Sequence, residues 1–388
     1  MRLGIDVLMD SRLEFLKGRR IGVLAHAASL NAEGLHAVDR IARGGGKMAA
    51  LFGPEHGLLT MAQDMEAVSS AVDPSSGIQI HSLYGATLDS LKPTAAMLEG
   101  IDVLVVDLQD VGSRYYTYVW TASLCAEACA EAGKQVVVCD RPNPIGGTRV
   151  EGGGIEEDFE SFVGLHSLPV RHGMTIGEIV QLMNNRAGIG ANLTVVPMEG
   201  WRRDMSWTDT GIPWTNPSPN MCSYTAALLY PGMCLIEGTN ISEGRGTDTP
   251  FEIVGAPYID SEEIIEAFGA LKLPGVRVAP SSFIPTRQKW KSLICNGVRW
   301  IISDVGAFEP YLTGLAFLWL VNKLYKGRGF EWRHEPYEFV TNRPAIDLLT
   351  GSSKFREGID ALSLDDLKSM CKTPANLLSE RKVHLLYK

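Results

Sequence analysis

Five short apolar runs, rich in β-branched residues, alternate with helical patterns through the first half of the 388-residue chain. The runs are RRIGVLA (19–25), KMAALF (47–52), IDVLVVD (101–107), KQVVVCD (134–140) and NLTVVPM (192–198). The segments between them include LHAVDRIARGG, LDSLKPTAAMLEG, YVWTASLCAEACAEAG and MTIGEIVQLMNN, with apolar residues at three-to-four spacing. Continuous apolar strands separated by helices are typical of a parallel sheet covered on both faces. The pattern therefore predicts a Rossmann-like, doubly wound α/β domain.

The chain is too long for one ordinary core, which favours two domains. From about residue 236 the rhythm changes to the Gly-rich stretch EGTNISEGRGTDTPFE, and mixed strand-like and helix-like segments such as VRWIISD and YLTGLAFLWLVNKLY follow. We therefore expect a Rossmann-like catalytic domain over residues 1–235 and a smaller α+β domain over residues 236–388, which closes a cleft.

Charge and cysteine usage exclude several classes of partner. A net charge of -9, without a Lys/Arg run, gives no surface for nucleic acid, and no apolar stretch is long enough to span a membrane. The seven cysteines form no CxxC pair, so we expect reduced thiols, and the N-terminus does not read as a signal peptide. These features predict a cytoplasmic protein; they say nothing about its oligomeric state.

The sequence also argues against a bound cofactor. The first strand leads into AHAASLNAEG without a GxGxxG turn, and Walker, GxSxG and HExxH motifs do not occur. We expect neither a cofactor nor a metal ion.

Polar clusters follow three of the predicted strands, as GPEHG, DLQDVGSRYYTY and DRPNPIGG. Ligands of open parallel sheets bind outside the carboxyl ends of the strands, so these clusters predict a shared site. Its members are Glu55, His56, Asp107, Asp110, Arg114, Asp140, Arg141 and Asn143. Taken singly, the aspartates could cap helices and His56 or Asn143 could simply build a turn. Glu55, set between Pro and His in a tight turn, favours a functional role.

Later segments add further candidates. LPVRHGMTIGE (168–178) supplies Arg171 and His172, whereas Glu178 has capping-box spacing from Thr175 and is expected to cap a helix. Asn220 lies in the turn WTNPSPN, and the Gly-rich stretch supplies Glu237, Glu243 and Arg245. Carboxylates, amides, arginines and aromatic rings together suit a polar ligand such as a sugar.

In this order, the motifs resemble those of the NamZ-type exo-β-N-acetylmuramidase family, formerly a domain of unknown function. The matching segments are FGPEHG, SLYG (82–85), DLQDVGSRYYTY, DRPNPIGG, LPVRHGMTIGE, PSPN, EGTNISEGRGTDTPFE and GAP (255–257). The chain departs from the family pattern at His26, where members usually carry Asn, and at Leu59 and Thr60, where many carry Arg-Gly.

The resemblance implies a glycosidase that releases N-acetylmuramic acid from the non-reducing ends of peptidoglycan fragments such as MurNAc-GlcNAc. It also implies that Glu55 is the catalytic acid, and we expect His56, Asp107 or Asp110 to hold or tune it. Asp110 and Glu243 are candidates for the second carboxyl of a glycosidase, unless the substrate's acetamido oxygen attacks instead. Tyr115 and Tyr116 are candidate sugar contacts.

The substrate's lactyl carboxylate calls for a guanidinium partner, which four arginines could supply: Arg114, Arg141, Arg171 and Arg245. Two other functions remain open from the residues. A metal-dependent hydrolase would use Glu55, His56, His172 and the aspartates. A muropeptide-binding protein without catalytic activity would keep the arginines and aromatic residues.

Overall fold

The computed structural model describes residues 1–63, 65–74 and 76–388. Within this part of the chain, the strands are β1 (Arg20–Ala25), β2 (Lys47–Gly53), β3 (Ala71–Val72), β4 (Gln79–Ser82), β5 (Val103–Asp107), β6 (Gln135–Cys139), β7 (Asn192–Val196), β8 (Ile253–Ala256), β9 (Val276–Phe283) and β10 (Cys295–Ile302). The helices are α1 (Gly4–Ser11), α2 (Ala37–Arg43), α3 (Ala95–Leu98), α4 (Tyr118–Glu131), α5 (Ile176–Arg186), α6 (Trp207–Thr210), α7 (Tyr224–Met233), α8 (Ser261–Ala270), α9 (Pro310–Tyr325), α10 (Ala345–Thr350), α11 (Lys354–Gly358), α12 (Leu364–Met370) and α13 (Ala375–Val383).

The first seven strands form one sheet in the order β3-β4-β2-β1-β5-β6-β7, parallel except at β3. The chain leaves β1 toward β2 on one side and resumes with β5 on the other. The carboxyl ends of β1 and β5 therefore form the topological switch point, where ligands of such sheets bind. The α/β sheet predicted from the apolar runs is confirmed.

The second domain carries the antiparallel sheet β8-β10-β9. Its long helix α9 packs on α7, and their backbones meet at Gly232 and Gly314. A Cβ added to Gly232 would lie 1.9 Å from the carbonyl oxygen of Pro310, so this crossing requires glycine. The expected division of the chain at residue 235 stays a prediction.

Of two local predictions, one is confirmed and one is wrong. α5 begins with the predicted capping box, in which Thr175 and Glu178 bond each other's backbone N–H groups. The pattern LDSLKPTAAMLEG, in contrast, is broken into a 3₁₀ turn (Leu88–Leu91) and the short α3. Pro93 lies between them and cannot donate to a helical hydrogen bond.

All seven cysteines are unpaired. Among the described residues, no helix combines the length and apolar character that crossing a bilayer requires.

Candidate active site

Glu55 is delivered by the loop that follows β2. Its side chain is only 5% exposed, and its Oε2 accepts a 2.7 Å hydrogen bond from the hydroxyl of Thr117, the residue before α4. The backbone N–H of Met65 approaches Oε1 at 3.4 Å. The turn therefore holds a carboxyl group inside the protein rather than presenting it to solvent.

His56 shapes this loop. Its backbone has φ 70°, in the left-handed region, and its Nδ1 lies 2.9 Å from the carbonyl oxygen of Ala62. The carbonyl of His56 also accepts the N–H of Met61 at 3.1 Å. A left-handed histidine costs conformational energy that its surroundings must offset, and such strain is common at functional sites.

Asp107 and Arg141 form a bidentate ion pair at the ends of β5 and β6. The guanidinium Nε and Nη2 lie 2.6 and 2.7 Å from the two carboxylate oxygens, and both side chains are buried. Each charge thus has its partner inside the fold, as a buried ion pair requires.

Asp140 and Asn143 form hydrogen bonds with residues at and just before the start of α5. Asp140 accepts hydrogen bonds from the Gly177 N–H at 2.9 Å and from the hydroxyls of Thr175 and Tyr387 at 2.7 and 2.6 Å. Burial raises the pKa of Asp140 to about 7, with the nearby Glu178 adding to the effect. Asn143 donates to the Met174 carbonyl and accepts from the Ile145 N–H.

Two arginines are also engaged within the protein. Arg114 donates to three backbone carbonyls, those of Gly153, Leu168 and Leu349, and its burial lowers its pKa. Arg171 pairs with Glu151 at 2.8 Å and donates to a backbone carbonyl.

His172 and Asp110 face one another beside this region. His172 Nδ1 accepts the Met174 N–H at 3.1 Å, and its Nε2 lies 3.4 Å from Asp110 Oδ2. The same Asp110 oxygen accepts the N–H of Gly112 at 2.7 Å. Asp110 is thus tied to its own loop.

The residues that depart from the family pattern connect loops. His26 is buried, its Nδ1 lies 3.2 Å from the Pro217 carbonyl oxygen, and its Nε2 accepts the Gln109 N–H at 2.9 Å. Burial lowers its pKa well below the usual value, consistent with a neutral ring in these contacts. The hydroxyl of Thr60 accepts the N–H of Ala27 at 3.1 Å.

The second domain contributes a chain of alternating charges. Arg245 contacts Glu237 through Nη2 at 2.7 Å and Glu243 through Nε at 3.1 Å. Lys289 continues the chain at 2.9 Å from the other Glu243 oxygen, and the Tyr337 hydroxyl donates to Glu237 at 2.8 Å. Glu243 therefore has a cation on each carboxylate oxygen.

A narrow cavity of about 40 Å³, the inner pocket, lies between these groups. Its lining comes from both halves of the chain and comprises Glu55, His56, Tyr115, Tyr116, Thr117, Val163, Ser218, Asn220, Met221, Tyr230, Glu237, Arg245, Phe251, Tyr337 and Glu338. Three carboxyl groups therefore border one small space, those of Glu55, Glu237 and Glu338.

A wider cavity of about 610 Å³, the outer chamber, shares Glu237 with the inner pocket. Its lining residues are Met65, Glu237, Thr239, Asn240, Glu243, Gln288, Lys289, Trp290, Glu331, Trp332, Arg333 and Glu335.

Only half of the predicted site residues line these two cavities. The residues that line one or both are Glu55, His56, Tyr115, Tyr116, Asn220, Glu237, Glu243 and Arg245. Those that line neither are Asp107, Asp110, Arg114, Asp140, Arg141, Asn143, Arg171 and His172.

Sequence reasoning passed over several lining residues. Thr117 and Ser218 lie inside the motifs DLQDVGSRYYTY and PSPN and could have been found there. The stretch 331–340 contains no recognised motif, so nothing in the sequence pointed to its lining residues, among them Trp332, Tyr337 and Glu338.

In the described part of the chain, no three His, Cys, Asp or Glu side chains gather closely enough to hold a metal ion.

Two family models match the chain in succession. The model for the N-terminal part of exo-beta-N-acetylmuramidase NamZ matches residues 21–225, and that for the C-terminal part matches residues 228–387. Among curated proteins, the chain is 41% identical over 390 residues to the peptidoglycan beta-N-acetylmuramidase NamZ of Bacillus subtilis strain 168. That alignment covers 100% of the chain and 91% of the relative.

Two crystal structures of DUF1343 family proteins from Bacteroides fragilis NCTC 9343 are similar to the chain. One is 30% identical with a TM-score of 0.88, and the alignment covers 100% of this chain and 99% of the other. The second is 24% identical with a TM-score of 0.74 and the same coverage, and it bears on the fold alone.

Proposed function

The chain belongs to the exo-β-N-acetylmuramidase NamZ family and is a glycosidase, and from this premise we propose how its residues act on peptidoglycan fragments. The substrate is an oligosaccharide such as MurNAc-GlcNAc, from whose non-reducing end N-acetylmuramic acid is released. The observation that carries the assignment is the buried carboxyl of Glu55 in a pocket that two further carboxyl groups share.

Glu55 acts as the general acid. Its proton passes to the glycosidic oxygen as the bond between that oxygen and C1 breaks, so that N-acetylglucosamine leaves as a neutral alcohol. Water then supplies the hydroxyl at C1 of N-acetylmuramic acid, and its other proton passes to the Glu55 carboxylate, which restores the acid. Thr117 holds Glu55 by the 2.7 Å hydrogen bond, and His56 fixes the loop that carries it.

Glu338 stabilises the positive charge that develops at C1. It is buried, lines the inner pocket with Glu55 and accepts a 3.1 Å hydrogen bond from the Tyr84 hydroxyl. The candidates raised from the sequence are placed less well for this role. Asp110 lies outside the pocket, and both oxygens of Glu243 contact cations.

Arg245 binds the lactyl carboxylate that distinguishes N-acetylmuramic acid from N-acetylglucosamine. Like the other three candidate arginines it is buried and has protein partners, here Glu237 and Glu243, but it is the member of the four that lines the inner pocket. A guanidinium fork can hold a carboxylate by two parallel hydrogen bonds.

The enzyme acts in the cytoplasm, on fragments that have been taken up by the cell. Support comes from the seven cysteines, all unpaired, because disulfides are common in small extracellular proteins and rare in the reducing cytosol. Cell fractionation with detection of the full chain tests this; recovery outside the cytoplasm would overturn it.

Product analysis tests the activity. The purified protein is incubated with MurNAc-GlcNAc and, separately, with GlcNAc-MurNAc. A portion of the protein treated with EDTA is assayed in the same way. Free N-acetylmuramic acid from the first substrate alone, unchanged by EDTA, is the expected result. Binding of MurNAc-GlcNAc without turnover by a folded protein would contradict the proposal and favour a muropeptide-binding protein.

A further inference from the structure

The outer chamber is too large to serve the cleaved sugar alone. Its volume of about 610 Å³ lies within the usual range of small-molecule sites, whereas the inner pocket, at about 40 Å³, has room for only a few water molecules. Glu237 lines both cavities, so the inner pocket and the chamber lie next to one another.

Two indoles in the chamber are held in place from behind. Trp290 donates its Nε1–H to the carbonyl of Asn240 and packs edge-on against Tyr258. Trp332 packs edge-on against Phe330 and Phe355, with ring centroids 5.1 and 6.2 Å away. Both rings line the chamber, and rigid aromatic faces of this kind suit the apolar face of a sugar ring.

Polar groups near the indoles are equally fixed. The Asn240 side chain donates to the Gly329 carbonyl at 2.7 Å and accepts from the Tyr258 hydroxyl at 2.7 Å. Lys289 contacts two backbone carbonyls and Glu243, each within 3.0 Å. Gln288 and Trp290 have left-handed backbones, with φ 59° and 57°, a strained conformation that packing must maintain.

The charge of the chamber selects the class of ligand. Four of its lining residues are carboxylates (Glu237, Glu243, Glu331 and Glu335) and two are cations (Lys289 and Arg333), and Arg245 contacts both Glu237 and Glu243 from outside the chamber. This lining has no excess of positive charge that would attract an anionic stem peptide. A neutral N-acetylhexosamine would meet aromatic faces, amides and carboxylates without bringing a charge.

We propose that the outer chamber binds the neutral N-acetylhexosamine on the leaving-group side of the scissile bond, stacked on Trp332 and Trp290. This inference rests on the proposed function, since it takes cleavage to occur in the inner pocket. Longer glycan chains extend from the chamber into solvent.

The test compares two substrates that differ only in the leaving group: MurNAc-GlcNAc and β-N-acetylmuramyl fluoride. The fluoride has no sugar to place in the chamber. Trp332→Ala is expected to lower kcat/KM for the disaccharide by about tenfold or more and to leave kcat/KM for the fluoride nearly unchanged. Trp319→Ala, at a half-buried indole outside both cavities, is the matched control and should change neither value.

Glu331→Trp gives a second variant that removes no packing, because this exposed side chain lies at the chamber. The added ring should narrow the chamber and selectively slow cleavage of the disaccharide. Equal losses on both substrates for both variants, with unchanged melting temperatures, would overturn the proposal. Failure of the wild-type protein to cleave either substrate would instead overturn the proposed function.

Discussion

Two sets of buried polar residues follow strands of the same sheet but differ in what they face. At the sheet edge, Asp107 and Arg141 satisfy each other, and Asp140 and Asn143 bond helix and loop backbone. Around the inner pocket, Glu55 is just as buried but borders a cavity. Burial and motif membership therefore do not identify a functional residue. Glu55 faces the inner pocket, whereas Arg141 lines a separate cavity of about 60 Å³ with Asn31 and Gln109.

The first prediction concerns the residue with the largest expected effect on rate. Glu55→Gln should lower kcat for MurNAc-GlcNAc by about 100- to 10,000-fold, because the amide cannot donate the proton that the leaving oxygen needs. Fluoride leaves without protonation, so cleavage of β-N-acetylmuramyl fluoride should be largely retained. Kinetics on both substrates measure the difference.

Glu178→Gln is the control for Glu55, because it alters a buried glutamate that caps α5 instead of bordering the pocket. It should change stability more than rate. A Glu55→Gln enzyme with a near-normal rate on the disaccharide would remove Glu55 from the acid role.

The second prediction tests whether the buried Arg141–Asp107 ion pair at the sheet edge stabilises the fold. Arg141→Met leaves Asp107 buried without its cation and should lower the free energy of unfolding by about 3–5 kcal/mol. Arg149→Met breaks a half-exposed pair with Glu309 and should cost about 1 kcal/mol or less. Chemical denaturation of both variants provides the comparison.

Activity of the surviving folded fraction decides the role of Arg141. Since this residue lines neither the inner pocket nor the outer chamber, the folded Arg141→Met enzyme should keep its KM for MurNAc-GlcNAc within a few-fold. A stable variant with a large rise in KM would place Arg141 in the binding site and erase the distinction between the two sets.

The sequence predicted the sheet well because its strands are continuous apolar runs that only a doubly covered sheet can bury. The family expected from the motifs is confirmed by the family models and by the curated relative. Glu55, Asn220 and Arg245, which the motifs predicted as site residues, line one pocket.

What the sequence could not supply is the direction of each side chain. Arg141 and Arg245 lie in comparable polar motifs, yet one points into the sheet edge and the other lines the pocket. That choice depends on contacts between segments far apart in the chain, such as Tyr337 with Glu237. Periodicity and local turn chemistry carry no information about such contacts.

The third prediction uses the pKa of Asp140, which is about 7 in the folded protein and about 3.9 in an unfolded chain. Between these values the folded state binds more protons, so this carboxyl's contribution to stability is present at low pH and is lost as pH rises toward 7. The expected slope is at most about 1.4 kcal/mol per pH unit.

Asp140→Asn should remove this dependence and keep the structure. The amide oxygen can accept from Gly177 and the amide nitrogen can donate to the hydroxyls of Thr175 and Tyr387. The difference in unfolding free energy between wild type and variant, measured from pH 5 to 7, should change by about 2 kcal/mol in favour of the variant. A difference independent of pH would mean that Asp140 is ionised throughout.

The fourth prediction has the smallest expected effect and concerns binding of the lactyl carboxylate by Arg245 in the inner pocket. Arg245→Lys keeps a positive charge between Glu237 and Glu243 but replaces the guanidinium fork with a single ammonium group. Discrimination between free N-acetylmuramic acid and N-acetylglucosamine as inhibitors should fall by about tenfold, or about 1.4 kcal/mol. Arg171→Lys, in a buried pair outside the pocket, should leave this ratio unchanged. If Arg171→Lys and not Arg245→Lys lowered the ratio, the lactyl carboxylate would bind at Arg171, and the residues around the Arg171–Glu151 pair would be part of the site.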